Sequence, residues 1–158
     1  MITVGNRRIL NWWRRRAKHK SGVSVSSENS IEAATMCFAC GPDNSIGLKI
    51  DFAVEGDRCT GEFTPTENHV GFQNTVHGGI LFACLDDVMA NVLYQQKRKA
   101  HTAKCEIRYR QALEVGKTIK LTGWIESERR RLIVLKGEAR LKEDDSLVAE
   151  TDASFMLA

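Results

Sequence analysis

From Cys37 onward the chain reads as short runs of alternating apolar and polar residues, broken by turn formers. Leu48, Ile50, Phe52 and Val54 alternate with Lys49, Asp51 and Ala53, and Cys59, Gly61 and Phe63 resume the period of two beyond Glu55-Gly56-Asp57. Successive side chains of a strand point to opposite faces, so this pattern predicts a hairpin. Residues 77–97 change period: Leu81, Leu85, Val88, Met89, Val92 and Leu93 recur at intervals of three and four over one broad arc. That is the mark of an amphipathic helix, and no other segment of the domain carries it. Four strand-like runs follow at approximately 101–110, 117–127, 130–142 and 146–157, with Cys105, Ile107 and Tyr109 alternating against Glu106, Arg108 and Arg110. A polar turn, Lys142 to Ser146, separates the last two. A lone helix with so wide an apolar arc has to be covered by sheet, and a curved antiparallel sheet wrapped round it is the economical answer, an α+β domain. Edge strands and an open face still need cover, which predicts a homodimer or a dimer-of-dimers tetramer.

The first 35 residues break this texture. A basic, Trp-containing stretch from Arg7 to Lys20 leads into a Ser-rich one from Ser21 to Ser30, neither with the apolar periodicity to fold alone. They hold a net charge of +5, which leaves −2 for residues 36–158 of a chain whose total is +3. The basic character therefore belongs to an appendage, and the near-neutral domain offers no basic face for nucleic acid. Residues 1–35 are expected to be a disordered tail or a non-native start, since Met36 stands just ahead of the first structured motif; an Arg-rich targeting peptide is the third reading. A membrane-surface helix on Ile9, Leu10, Trp12 and Trp13 would need a wider apolar face, and a helix-turn-helix more length and pattern. With 158 residues there is room for one ordinary domain, 36–158. No apolar run approaches the roughly 18 residues of a membrane span. Five cysteines, odd in number and irregular in spacing, do not read as a disulfide framework and point to a reducing, cytoplasmic setting.

Candidate chemistry gathers where loop becomes helix. In Val76-His77-Gly78-Gly79 two glycines allow close backbone approach, and a helix start presents unpaired N–H groups able to hold a carbonyl and the oxyanion made when it is attacked. Alone, His77-Gly78-Gly79 reads better as a glycine loop that only turns the chain. Asp86 changes the balance. At 100° per residue, Asp87, Asn91 and Gln95 share a polar stripe, the ordinary solvated face of a helix. Asp86 falls instead at the margin of the apolar arc, between Phe82 and Leu93 on one side and Gly79, Ala83 and Ala90 on the other. An acid there costs stability unless it has a partner or a task, such as activating water or attacking an acyl carbonyl. The structural alternative is an acid that caps a neighbour's backbone or pairs with an arginine across a dimer interface.

The ordered set Cys37-Phe38-Ala39-Cys40-Gly41-Pro42-Asp43-Asn44, Ile46-Gly47-Leu48, His69, Gly71, Val76-His77-Gly78-Gly79, Leu85-Asp86-Asp87 and Thr102-Ala103 before Ile107-Arg108-Tyr109 resembles the PaaI-like acyl-CoA thioesterases. These belong to the hotdog superfamily that includes 4-hydroxybenzoyl-CoA thioesterase. The resemblance spans about residues 36–158 and implies a hotdog fold and hydrolysis of a small or medium acyl-CoA without a cofactor. It assigns the acid, nine residues after the motif histidine, to Asp86, and the carbonyl-polarising amide to Gly78 or Gly79. Some relatives carry a water-orienting asparagine six residues before the histidine, where this chain has Gly71; His69, Asn68 and Asn74 are the nearby candidates. The chain also departs at Asp87, where relatives often have Glu, and at Ser45 and Ala112, where they have Pro.

Other constellations carry less. Cys37-x-x-Cys40 has metal-chelating spacing, but a structural zinc site needs two more ligands and the remaining cysteines form no second close pair, so no metal is expected. His77 could act as a base, as in hotdog dehydratases, yet a histidine at a helix start more often orients its loop. Lys104, Arg108 and Arg110 share a strand face, with Arg129, Arg130 and Arg131 in a turn expected nearby; such a cluster suits the phosphates of coenzyme A or is an ordinary charged exterior. Thr102 is a further substrate-side candidate. A non-enzymatic acyl-CoA sensor and an enoyl-thioester hydratase or dehydratase are the alternatives to a hydrolase.

Overall fold

The structure, a computed structural model, describes residues 34–158. The expected appendage, save Ala34 and Thr35, lies outside the described residues. Strands β1 (Phe52–Glu55) and β2 (Arg58–Phe63) form the predicted hairpin, and a short 3-10 turn (Glu67–His69) leads to a small pair, β3 (Val70–Phe72) and β4 (Thr75–Val76). Helix α1 (Gly78–Gln95) follows, then β5 (Ala100–Tyr109), β6 (Ile119–Arg129), β7 (Leu132–Leu141) and β8 (Leu147–Leu157). The six long strands make one antiparallel sheet in the order β1-β2-β6-β7-β8-β5. One long helix against a curved sheet is the hotdog arrangement that the motifs imply. No helix among the described residues is long and apolar enough to cross a membrane.

The helix seats its predicted apolar arc on the sheet: Leu81, Leu85, Val88, Met89, Val92 and Leu93 are all buried. Two glycines make the seat. Gly123 of β6 and Gly137 of β7 are register partners, and a Cβ on Gly123 would lie 2.9 Å from the Val88 carbonyl oxygen and 3.0 Å from the Met89 nitrogen. Backbone therefore rests on backbone at the middle of α1, which fixes the rotation of the helix and hence where residues 86 and 87 point.

Three departures from the sequence reading matter. The first strand begins at Phe52, not Leu48, because Leu48 and Ile50 spend their N–H groups on the preceding loop, bonding to Phe38 O (2.8 Å) and Ala39 O (3.0 Å). Both are buried all the same, so alternation there reports burial without a sheet ladder. The β3–β4 pair was not anticipated, its runs being too short to show a period. Finally, Arg129–Arg131 do not lie near Arg108 and Arg110: Leu132 pairs through Met156 with His101, at the far end of β5. Nine residues of extended chain separate His101 from Arg110, roughly 30 Å.

Candidate active site

His77 closes the loop into the helix. It is the N-cap residue, and its ring Nδ1 accepts the Gly79 N–H at 2.9 Å. Nδ1 can accept only when unprotonated, so in the neutral ring the proton sits on Nε2. Two consequences follow. The Gly79 amide is already occupied by its own cap, while Gly78 N–H, the first of the helix, has no acceptor among the described residues. Of the two glycines, Gly78 thus offers the open amide. Its carbonyl is held from the other side by the Tyr109 hydroxyl, which donates to Gly78 O at 2.8 Å. Sequence reasoning missed Tyr109 as a site residue; its place in β5 was visible, its reach across 31 residues to the helix start was not.

The loop ahead of the helix is braced by the two sequence-predicted residues His69 and Gly71. His69 O accepts the His77 N–H at 2.8 Å, and the His69 ring takes the Thr66 N–H on Nδ1 at 2.9 Å and packs edge-on against Phe63. A Cβ at Gly71 would lie 2.8 Å from His77 Cα. Position 71 therefore has no room for the asparagine of some relatives unless the His77 loop shifts. Asn74 contributes its backbone oxygen to Val115 N–H at 3.0 Å. A cleft of about 390 Å³ opens at the helix start, with Thr75, Gly78, Tyr109, Arg110 and Leu113 among its walls.

Asp86 lies two turns further along the helix and does not line that cleft. Its carboxylate is half-buried and accepts one hydrogen bond, from the Thr102 hydroxyl to Oδ1 at 2.8 Å. Among the described residues, Oδ2 has no partner and no cation pairs with the group. Burial raises its pKa above the usual aspartate value, and the Thr102 hydrogen bond offsets part of the rise. Thr102 reaches it because of a break in register. The β5–β8 ladder shifts between Thr102 and Lys104, so Thr102 stands on the same, helix-facing side as Tyr109, although seven residues apart would put them on opposite faces of a regular strand.

Asp87 contradicts its reading as a solvated residue. It is half-buried, and Asn91, on the same stripe, is only 8% exposed. Both face the Cys37–Cys40 loop, 50 residues earlier, which covers that side of the helix. Only Gln95 of the stripe is exposed. The basic cluster is also partly spent within the fold: Arg108 pairs with Glu106 at 3.2 Å, and Arg110 forms an ion pair with Glu150.

Comparison with known proteins agrees with the motifs. Residues 73–148 match the family model described as thioesterase superfamily. Among solved structures, the E. coli PaaI protein from the phenylacetic acid degradation operon superposes with a TM-score of 0.66 at 21% identity, over 69% of this chain and 83% of that one. A hypothetical thioesterase from Streptococcus pneumoniae TIGR4 with coenzyme A gives 0.66 at 14%, over 69% and 85%. Zebra fish thioesterase superfamily member 2 gives 0.67 at 19%, over 78% and 91%. No curated protein matches the sequence. Residues 73–148 are thus similar to the thioesterase superfamily, and the fold is that of the PaaI protein and the other solved thioesterases.

Proposed function

We propose that this chain hydrolyses a small or medium acyl-CoA thioester, with Asp86 as the reacting carboxylate and the Gly78 N–H as the carbonyl-polarising amide. The observation that carries the reading is Asp86 itself: half-buried, held by a neutral hydroxyl, and, among the described residues, with one oxygen free and no cation to neutralise it. A structural acid would be paired; a working base has to keep an unspent lone pair. Asp86 takes a proton from water as that water adds to the thioester carbonyl, or adds directly to give an acyl anhydride that water then hydrolyses; the oxyanion rests on the amide, and collapse expels the coenzyme A thiolate, which takes up the proton released by water and leaves as thiol.

Within one chain the acid and the amide face different places, and a second copy supplies the missing half. β5 is the last strand of the sheet, its outer edge without a partner strand among the described residues. Thr102 marks the level of Asp86 along β5, and Tyr109 marks the level of Gly78. A two-fold axis midway between those levels, pairing β5 with its copy, brings each Asp86 level with the copy's Gly78. Two sites then form per dimer, and a dimer of dimers would repeat them. The coenzyme A carried by the Streptococcus pneumoniae neighbour supports the leaving group. All five cysteines are free thiols, which supports a cytoplasmic setting.

The test is thiol release over a panel of acyl-CoAs by the full chain and by Asp86→Asn. Turnover that disappears in the variant supports the reading. Near-normal hydrolysis by the variant removes Asp86 from it, hydration of enoyl-CoA without thiol release replaces it with the hydratase, and binding without turnover of any acyl-CoA replaces it with the sensor.

A further inference from the structure

Opposite the Asp86 side, the loop over residues 35–44 folds back on itself. Gly41 N–H bonds to Cys37 O at 2.8 Å and Asp43 N–H to Thr35 O at 2.9 Å. A Cβ at Gly41 would lie 2.4 Å from Cys37 N, so only glycine closes this turn. The closure directs both thiols of Cys37-x-x-Cys40 at the same point of the helix, Asp87. Cys37 Sγ is 3.6 Å from Asp87 Oδ1, and one ligand atom from each of Cys37, Cys40 and Asp87 falls within 4.8 Å of the other two. All three residues are half-buried.

The spacing is that of metal donors. Zinc bonds of ~2.3 Å to sulfur and ~2.1 Å to oxygen place neighbouring ligand atoms of a tetrahedron about 3.5–3.8 Å apart, which small rotations of these side chains reach. The surroundings fit as well. Asn91 donates to the other carboxylate oxygen, Oδ2, at 3.1 Å and to Asp87 O at 2.9 Å, fixing which oxygen faces the sulfurs. Such outer hydrogen bonds orient carboxylate ligands. Among the described residues, the groups acting on Asp87 are two thiols, one amide and the Asp86 carboxylate, with no cation. The sequence spacing supplied two ligands and left two missing; the fold supplies the third from 47 residues further on.

We propose that Cys37, Cys40 and Asp87 bind one thiophilic divalent cation, zinc by preference, with the fourth position open to water. Both thiols lose their protons to solvent on binding, leaving two thiolates and a carboxylate around the ion with a net charge of −1. The ion ties the N-terminal loop of the domain to the residue next to Asp86, and this assignment does not depend on the thioesterase reading.

The experiment is a cobalt(II) titration of the full, reduced, metal-stripped chain, followed by displacement with zinc(II). One equivalent per chain should produce thiolate-to-cobalt charge-transfer and tetrahedral d–d absorption, and zinc should erase both. Cys40→Ser should abolish the charge-transfer band, Asp87→Asn should weaken binding by about tenfold or more, and Cys105→Ser, which changes a thiol bonded instead to Thr151, should retain it. Absence of the bands in the wild-type chain overturns the proposal without recourse to any variant. So does a band that survives Cys40→Ser, or a Cys37–Cys40 disulfide that persists in reductant.

Discussion

Asp86 and Asp87 are neighbours in the chain, share a side-chain chemistry and stand in the same helix, yet the fold gives them opposite environments. Asp86 turns toward the bulged end of β5, where, among the described residues, a single hydroxyl holds it and one oxygen stays free. Asp87 turns under the Cys37–Cys40 loop, among two thiols and a buried amide. Burial raises the pKa of both. What separates them is the partner set: one acid is left with capacity to react, the other with its lone pairs directed at sulfur and nitrogen. The cause is the glycine seat under Val88 and Met89, which locks the helix rotation so that a 100° step divides the two sides.

The sharpest way to break this comparison is Asp86→Asn. Removing a general base or nucleophile while keeping the shape should cost on the order of 10³-fold in turnover, with unchanged circular dichroism and Tm. Equal loss of turnover and of Tm would make Asp86 structural and erase the distinction. On the other side of the helix, Asn91→Ala strips Asp87 of its amide donor and leaves a half-buried carboxylate less satisfied. The expected cost is about 1–3 kcal/mol of stability, read as a lower urea midpoint at constant m-value. A defect confined to kcat would show instead that this side serves the reaction.

Much of this was legible in the sequence. The helix, the four later strands and the position of Asp86 at the arc's margin follow from periods of 3.6 and 2, which are properties of neighbouring residues. What escaped was set by contacts at a distance. A helical projection puts Asp87 in solvent because it cannot register a loop 50 residues earlier that lies over it. The bulge at Thr102 is a one-residue slip against β8, invisible in β5 alone, and it decides that Thr102 meets Asp86. Gly71 stood as an unexplained departure from the family pattern until the packing of His77 showed the lack of room.

Thr102 gives a finer test. Its hydroxyl stabilises the charged form of Asp86, so Thr102→Val should raise that pKa further. The sign is fixed by the chemistry: a base must be deprotonated, activity falls as pH drops through the pKa, and a higher pKa moves the acid limb to higher pH. The wild-type limb should already lie above the usual aspartate range, and the variant's above that, so the loss of kcat is largest on the acid side of the profile. A limb that stays in place would separate Thr102 from the acid.

The smallest effect belongs to Tyr109→Phe. The hydroxyl donates to Gly78 O from a half-exposed ring, so its loss should cost only about 0.5–1 kcal/mol, a two- to fivefold change. It should appear in kcat/KM with the acid limb unmoved, because Tyr109 acts on the amide end and Thr102 on the acid end of the same strand. If β5 pairs with its copy as proposed, the double variant combines one defect from each protomer in every site, and the two losses should multiply. A double variant no worse than Thr102→Val alone would mean that acid and amide do not meet across β5.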